Sequence, residues 1–279
     1  MSLAGRQKIV IPTGRFRESD IVDHDLTLII PAYNEEARLP KTLAETKAYL
    51  DEWGINYRVL VVDDGSRDAT ATLTSAYGRR FSTIRQANGG KGSAVRNGML
   101  AARGRVVAFT DADLPYDLAA LKSAYQTINS GKREIVFGSR TAEGAASHVE
   151  RRFMRTLAST IFRTCMTLLV SRRITDTQCG LKVFSHNAAR QIFSRATING
   201  FAFDAEVVYL THQLDISFET VAVTLVNDYA TTISLTRNAI PMLLDVVGVR
   251  WYSFCGRYHI GDDVAIPAAT SAPASREAA

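Results

Sequence analysis

Two carboxylates one residue apart, Asp111 and Asp113, follow the run Val106-Val107-Ala108-Phe109-Thr110. A short apolar run of this kind reads as a buried strand, so the pair is presented at the strand's carboxyl end. There Asp111-Ala112-Asp113 can hold one hard divalent cation, Mg2+ or Mn2+, which prefers carboxylate oxygens and can also take substrate phosphates. Taken alone, the same spacing also describes a solvated turn or a helix cap. Two further clusters bear on the choice. Leu26 to Ile30 closes on Pro31-Ala32-Tyr33-Asn34-Glu35-Glu36, and Val59 to Val62 closes on Asp63-Asp64-Gly65-Ser66. In a parallel sheet, right-handed crossovers bring such strand ends to a single crevice. In that crevice Asp64 can accept the imide N–H of a uracil or the edge of a guanine, Tyr33 can pack on a base, and a metal at the Asp pair can bind a diphosphate. The loop Asn88-Gly89-Gly90-Lys91-Gly92 lets backbone approach a ligand, with Lys91 and Arg96 as candidate phosphate partners. It matches neither a Rossmann nor a Walker fingerprint.

The elements that must position these groups follow from apolar spacing and punctuation. Leu39, Leu43 and Leu50 predict a helix that Gly54 stops, and Asp68 can cap a second helix through about Tyr77. A short strand near Thr83 to Arg85 and a helix from Ser93 to Ala102 precede the central strand. Pro115 suits a helix's first turn, and Leu118, Leu121, Tyr125 and Ile128 give that helix an apolar stripe. Glu134 to Gly138 is the next strand. Strands alternating with helices of this length mean βαβ units, hence an α/β fold with a mostly parallel central sheet flanked by helices.

Composition narrows the partners. The chain has 279 residues, 46% of them hydrophobic, enough for a sizeable core. Lys and Arg outnumber Asp and Glu by 33 to 28, a net charge of +5 that mildly favours anionic partners. Three cysteines (Cys165, Cys179, Cys255) lack metal-ligand spacing, which fits a reducing compartment. No run approaches 18 apolar residues, and no signal-like core follows Met1, so the expected location is cytoplasmic and any membrane association peripheral. The five histidines are scattered and form no cluster of ligands. Arginines at 151, 152, 155, 163, 172 and 173 flank an amphipathic segment that reads either as membrane-facing or as the solvated side of a core helix.

Six ordered motifs carry a family resemblance: Pro31 to Glu36, Val61 to Asp68, Gly90 to Gly98, Asp111 to Leu114, Gly138-Ser139-Arg140, and Asp176-Thr177-Gln178-Cys179-Gly180-Leu181-Lys182-Val183-Phe184 followed by Phe203-Asp204-Ala205-Glu206. The chain resembles the GT-A-fold, family 2 inverting glycosyltransferases, in the branch that glycosylates dolichyl and other polyprenyl phosphates. The likeness covers about Leu26 to Val226. It implies a Rossmann-like GT-A catalytic domain over 26–236 and an amphipathic C-terminal helix over 237–260 that would lie on a membrane surface, while composition predicts a basic arm over 1–25 and a disordered tail over 261–279. Where many relatives carry a tryptophan and a Gly-Ser-Lys run after the Asp-x-Glu segment, this chain reads Leu225 to Ser234 with no basic residue.

The resemblance also implies roles. Pro31, Tyr33, Glu35 and the Asp63-Asp64 turn would hold the nucleotide, together with Lys91, Gly92, Arg96 and Ala112. Asp111 and Asp113 would carry the Mg2+ or Mn2+. Arg140, and more loosely Arg151, Arg152 or Arg155, would meet the acceptor phosphate. Asp176 and Gln178 would face the sugar, and Asp204 would lie near acceptor or sugar unless it serves as a helix cap. The implied reaction moves a hexose from a nucleotide-diphosphate sugar, UDP-glucose or a relative, to a polyprenyl phosphate at the cytoplasmic membrane face, on the bare surface or with a membrane-protein partner, and with no nucleic acid involved. A phosphate acceptor is already an anion, so alignment and leaving-group stabilisation suffice without a Ser-His-Asp or Cys-His constellation. A transferase with a soluble acceptor and a non-catalytic nucleotide-sugar-binding module are the alternatives.

Overall fold

The structure is a computed structural model that describes residues 23–147, 176, 179–227 and 248–258. Gln178, Arg151, Arg152, Arg155, most of the basic amphipathic segment and the tail 261–279 lie outside the described residues. The first strand, β1 (His24–Ala32), has Leu28 and Ile30 on one face and Ile29 on the other, all fully buried. That double-sided burial is why its sequence is apolar without alternation. After it come helix α1 (Leu39–Trp53), β2 (Tyr57–Asp63), a 3-10 helix (Ala69–Tyr77), β3 (Phe81–Arg85), α2 (Lys91–Ala101), β4 (Gly104–Phe109) and α3 (Ala119–Asn129). The chain continues through β5 (Ile135–Ser139), β6 (Ala146–Ser147), β7 (Lys182–Ser185), α4 (His186–Phe193), α5 (Phe203–Gln213), β8 (Phe218–Ala222) and β9 (Thr224–Leu225), with a last helix over 248–254.

Seven strands form one sheet in the order β3-β2-β1-β4-β7-β5-β8. β1 runs parallel to both β2 and β4, so the three acid-bearing strand ends lie side by side, as the sequence predicts. The exception to parallel pairing in this sheet is β7, antiparallel to β4 on one side and to β5 on the other. Two hydrophobic cores cover the sheet. One packs Val95, Met99, Ile192, Phe193, Phe203 and Val207 from α2, α4 and α5, and the other packs Leu39, Leu43, Leu121 and Tyr125 from α1 and α3.

Local expectations hold with three adjustments, the first being that Pro115 lies outside α3, which begins only at Ala119 because Tyr116 is held in a bridge to Leu225. Gly54 ends α1 at φ 74, the left-handed conformation that glycine adopts without strain. Asp68 does cap the next segment, its carboxylate accepting from Thr70 N at 3.0 Å. However, that segment is 3-10 rather than α-helical: the β-branched Thr70, Thr72 and Thr74 crowd an α-helix, and the Thr72 and Ser75 hydroxyls bond carbonyls three residues back. α2 begins at Lys91, two residues before the expected Ser93, which places Lys91 in the helix's first turn.

Candidate active site

The crevice is built at the carboxyl ends of β1, β2 and β4. Each loop there is fixed by its neighbours. Asn34, at φ 53, donates its amide to Ser66 Oγ at 2.9 Å, Glu35 N donates to Thr70 Oγ1 at 2.8 Å, and Arg67 N donates to Asn34 Oδ1 at 2.9 Å. These bonds lash the Tyr33–Glu36 loop to the Asp63–Asp68 turn and leave Tyr33 44% exposed at the rim. Thr42 Oγ1, from α1, donates to Ala112 O at 2.6 Å and so pins the Asp-x-Asp turn. Leu114, at φ 43, completes that turn with Leu114 N donating to Asp111 O.

Asp111 and Asp113 therefore end β4 side by side. Lys91 Nζ lies 2.5 Å from Asp111 Oδ1. Burial alone would lower the Lys91 pKa, but the charges of Asp111, Asp204 and Asp113 outweigh it and hold the ammonium above its ordinary value. Burial raises the Asp113 carboxyl above the usual carboxylate range, the Asp111 charge adds to this, and Lys91 and Arg38 offset it only in part. Glu35 is raised in the same direction, first by burial, although its ion pair with Arg38 at 2.8 Å opposes this. Three acids thus converge on one crevice with incomplete charge compensation. The Asp111 and Asp113 pair fits a hard divalent cation, because added positive charge relieves the like-charge repulsion between them. Among the described residues no group of three or more His, Cys, Asp or Glu side chains is arranged to hold a metal. The two Asp carboxylates would consequently leave coordination positions for substrate oxygens, as Mg2+ sites commonly do.

Several expected ligand contacts turn out to be internal. Asp64 spends both oxygens on the glycine loop: Oδ1 accepts from Gly89 N at 2.8 Å and Gln86 Nε2 at 2.7 Å, and Oδ2 accepts from Gly90 N at 2.8 Å. Its neighbour is bound inside the protein too. Asp63 is fully buried, takes the Ser66 amide on Oδ1, and leaves Oδ2 without a hydrogen-bond partner, 3.2 Å from Arg85 Nε. Arg96 is likewise not aimed at a phosphate, because it donates to Ala196 O at 3.2 Å and to Asn199 Oδ1 at 2.9 Å. The loop glycines admit protein rather than ligand. A Cβ on Gly90 would lie 2.6 Å from Asn199 O, and one on Gly92 would lie 2.5 Å from Ile198 O.

The segment around Cys179 forms the opposite wall. β7 runs between β4 and β5, and this carries Gly180 against Asp111: a Cβ there would fall 2.8 Å from Asp111 Cγ and closer still to Oδ2. Arg140 and Asp176, both in Gly-Ser-Arg and Asp-x-Gln motifs, meet each other rather than separate ligands. Arg140 donates Nε and its own amide to Asp176 Oδ2, each at 2.8 Å, and Nη2 to Oδ1 at 2.6 Å. Burial works against the Asp176 anion, but Arg140 prevails and holds its carboxyl below the ordinary value. The same pair holds Arg140 above its own. Asp176 thus orients Arg140, whose Nη1 this pair does not use. Asp204 also departs from expectation. It is buried on α5, bonded by Lys182 Nζ at 2.5 Å, and Lys182 donates in addition to Cys179 O at 2.8 Å. Burial, partly opposed by Lys182 and Lys91, raises the Asp204 carboxyl. Cys179 is buried and pushed up to about 11, a packed residue with no nucleophilic thiolate at neutral pH. Residue-by-residue reading missed Gly180 and Lys182. Their signals were a glycine abutting a strand and a lysine inside an otherwise apolar strand.

Residues 27–193 match the glycosyl transferase family 2 domain. The chain belongs to that family. It is 38% identical over 216 residues to the dolichyl-phosphate beta-glucosyltransferase of Drosophila melanogaster, an alignment covering 71% of this chain and 66% of that protein. A Dictyostelium discoideum protein of the same name is 33% identical over 84% of this chain and 76% of its own length. Among solved structures, glucosyl-3-phosphoglycerate synthase from Mycobacterium tuberculosis, in complex with Mn2+, UDP and glucosyl-3-phosphoglycerate, superposes with a TM-score of 0.63 at 18% identity, covering 84% of this chain and 81% of that one. Mannosyl-3-phosphoglycerate synthase from Rubrobacter xylanophilus gives 0.62 at 17% identity, covering 89% and 82%. These structures share the GT-A-type fold that the motifs imply. The family 2 glycosyltransferase is therefore an enzyme of sugar transfer, with a mostly parallel seven-stranded sheet behind its crevice.

Proposed function

We propose that this glycosyltransferase moves glucose from a uridine-diphosphate donor to dolichyl phosphate or a related polyprenyl phosphate, with inversion at the anomeric carbon. The observation that carries this reading is the convergence of Asp111, Asp113 and Lys91 at the ends of parallel strands, in a chain whose similar relatives bear the dolichyl-phosphate glucosyltransferase name. The nucleotide lies along the β1 and β2 ends, its base against Tyr33. Asp64 acts one step back, holding the glycine loop so that Lys91 starts α2 beside the acids. Asp111 and Asp113 would hold Mg2+ or Mn2+, which when bound would supply charge stabilisation for the diphosphate leaving group. Arg140, oriented by Asp176, receives the acceptor phosphate on its remaining N–H groups, since a planar guanidinium suits phosphate geometry.

An acceptor phosphate oxygen then forms the new bond to the anomeric carbon as the bond to the nucleotide diphosphate breaks on the opposite face. No side chain needs to remove a proton, and this agrees with Asp204 being buried on Lys182 rather than exposed to an acceptor. The acceptor is membrane-borne. Among the described residues no helix is long and apolar enough to cross a membrane. In this reading the chain meets its acceptor at a membrane surface, alone or with a membrane-protein partner. The test is nucleotide diphosphate release from UDP-glucose with Mn2+ or Mg2+, with and without a short polyprenyl phosphate, and with Asp113→Ala as control. Release that needs both lipid and metal and vanishes in the variant is expected. Release without lipid would transfer the acceptor role to a soluble molecule, and binding without release would refute the proposed activity.

A further inference from the structure

Tyr116 follows the Asp111–Leu114 turn. It is only 6% exposed, and among the described residues its hydroxyl makes no hydrogen bond. Buried hydroxyls are ordinarily paired. Tyr57, Tyr209 and Tyr258 obey that rule, donating to Asp51 Oδ1, Ser253 Oγ and Glu206 Oε1. Tyr125 does not, but the charges that act on it, Asp25 and Arg105, lie at the amino ends of β1 and β4, away from the crevice. The charges that act on Tyr116 are those of the crevice itself: Arg140, Asp111 and Asp176. Burial holds the phenol well above its ordinary pKa, the Cys179 thiol, Asp111 and Asp176 push the same way, and Arg140 opposes them. The hydroxyl is therefore neutral at physiological pH. Several bonds place this side chain. Tyr116 pairs with Leu225 in an isolated bridge, Asp117 N donates to Thr224 O at 3.1 Å, Val226 N to Pro115 O at 2.9 Å, and Asn227 Nδ2 to Leu114 O at 2.9 Å. Residues 114–117 are thereby clamped to 224–227. The ring belongs to the same buried cluster as Ala112, Cys179 and Leu181. Cys179 in turn packs on Gly138, two residues before Arg140, where a Cβ would lie 2.7 Å from its Sγ. Backbone and ring are thus both fixed, and the hydroxyl is left without a partner in the field of Asp111 and of the Arg140–Asp176 pair.

We propose that the Tyr116 hydroxyl recognises the sugar, hydrogen-bonding one hydroxyl of the hexose while it is transferred. This rests on the functional reading above, in which the donor diphosphate lies at Asp111 and the acceptor phosphate at Arg140. The hexose must then span the gap between those two groups, because its anomeric carbon exchanges one phosphate for the other. The chemistry of the two partners matches. A neutral phenol can both donate and accept, as a sugar hydroxyl does, whereas phosphate oxygens are better met by cations such as Lys91 and Arg140. The ring's burial also keeps the hydroxyl from turning toward bulk water, so its pairing capacity is reserved for whatever fills the crevice.

Tyr116→Phe in the full chain tests this, since it removes one oxygen that bonds nothing among the described residues and leaves the packed ring in place. Its melting temperature is expected to equal the wild type's. Its kcat/KM for release of UDP from UDP-glucose, with a short polyprenyl phosphate present, is expected to fall about tenfold, the upper range for one neutral hydrogen bond. Its affinity for UDP, which lacks the sugar, is expected to stay unchanged. Monodeoxyglucose analogues of the donor, each lacking a different hydroxyl, identify the partner. With one of them the wild type and the variant are expected to be equally slow, because the bond is already missing, and with the others the ratio persists. Wild-type kinetics for Tyr116→Phe on UDP-glucose overturn the proposal. So does a deficit that survives with every analogue, and so does one confined to the acceptor KM, which would assign the hydroxyl to the acceptor phosphate. UDP-glucose that binds more tightly than UDP in calorimetry, by a margin that Tyr116→Phe reduces, supports sugar recognition even if no UDP is released with polyprenyl phosphate; that combination would refute the lipid-acceptor reading alone.

Discussion

Gly180→Ala separates the geometry of the acid pair from the stability of the fold. The added methyl would lie 2.8 Å from Asp111 Cγ, whereas carbon atoms in contact normally sit about 3.5–4.0 Å apart, so Asp111 must move by roughly 1 Å. The backbone does not have to follow. Asp111 is a side chain with 26% of its surface exposed, free to swing toward the crevice, and the expected stability cost is at the low end of the ~1–3 kcal/mol typical of overpacking. Its 2.5 Å contact with Lys91 and its register with Asp113 cannot survive that swing. A 1 Å displacement of a positioning group costs on the order of 100-fold in rate. The variant is therefore expected to melt within a few degrees of the wild type and to lose about two orders of magnitude in nucleotide diphosphate release under saturating donor. Raising Mn2+ is expected to recover part of it. A folded Gly180→Ala protein with wild-type turnover would refute the assignment of Asp111 to the reacting diphosphate.

Two other outcomes follow from the buried charges. Lys182→Met leaves Asp204 buried without its partner and is expected to cost about 3–5 kcal/mol in urea denaturation, while Lys182→Met with Asp204→Leu is expected to regain most of it, since a buried pair often exchanges well for apolar packing; a double variant no more stable than the single would contradict this. For Asp176 the folded carboxyl titrates below its ordinary value of 3.8, so the unfolded chain binds more protons there. The contribution of the Arg140 pair is complete above that value and is lost as the pH falls through the lowered folded value. Melting temperatures of Asp176→Asn are thus expected to fall less steeply than the wild type's on acidification below about pH 4, and parallel slopes would count against the pair.

The parts of this protein that short stretches of chain determine were legible in the sequence. Apolar runs ending in Pro31, Asp63 and Asp111 specify buried strands with acids at their ends, because burial and turn chemistry act over a few residues. Parallel pairing of β1 with β2 and β4 then follows from crossover geometry, which is how three separated motifs could be expected in one crevice. The helix stop at Gly54 and the cap at Asp68 are equally local.

What each polar group contacts was decided only in three dimensions. Asp63 and Asp64 are adjacent and identical in type, yet the glycine loop of residues 86–90 takes Asp64, while Asp63 turns to the Ser66 amide and the Arg85 guanidinium. Gly90 and Gly92 look like a phosphate cradle, but their bareness admits residues 198–199, more than a hundred positions away. The antiparallel insertion of β7 between β4 and β5 brings Gly180 onto Asp111 and Lys182 onto Asp204. No periodicity encodes such meetings. Periodicity reports which face of an element is buried, whereas long-range pairing depends on how whole elements stack, and that is fixed by the packing of the two cores around the sheet.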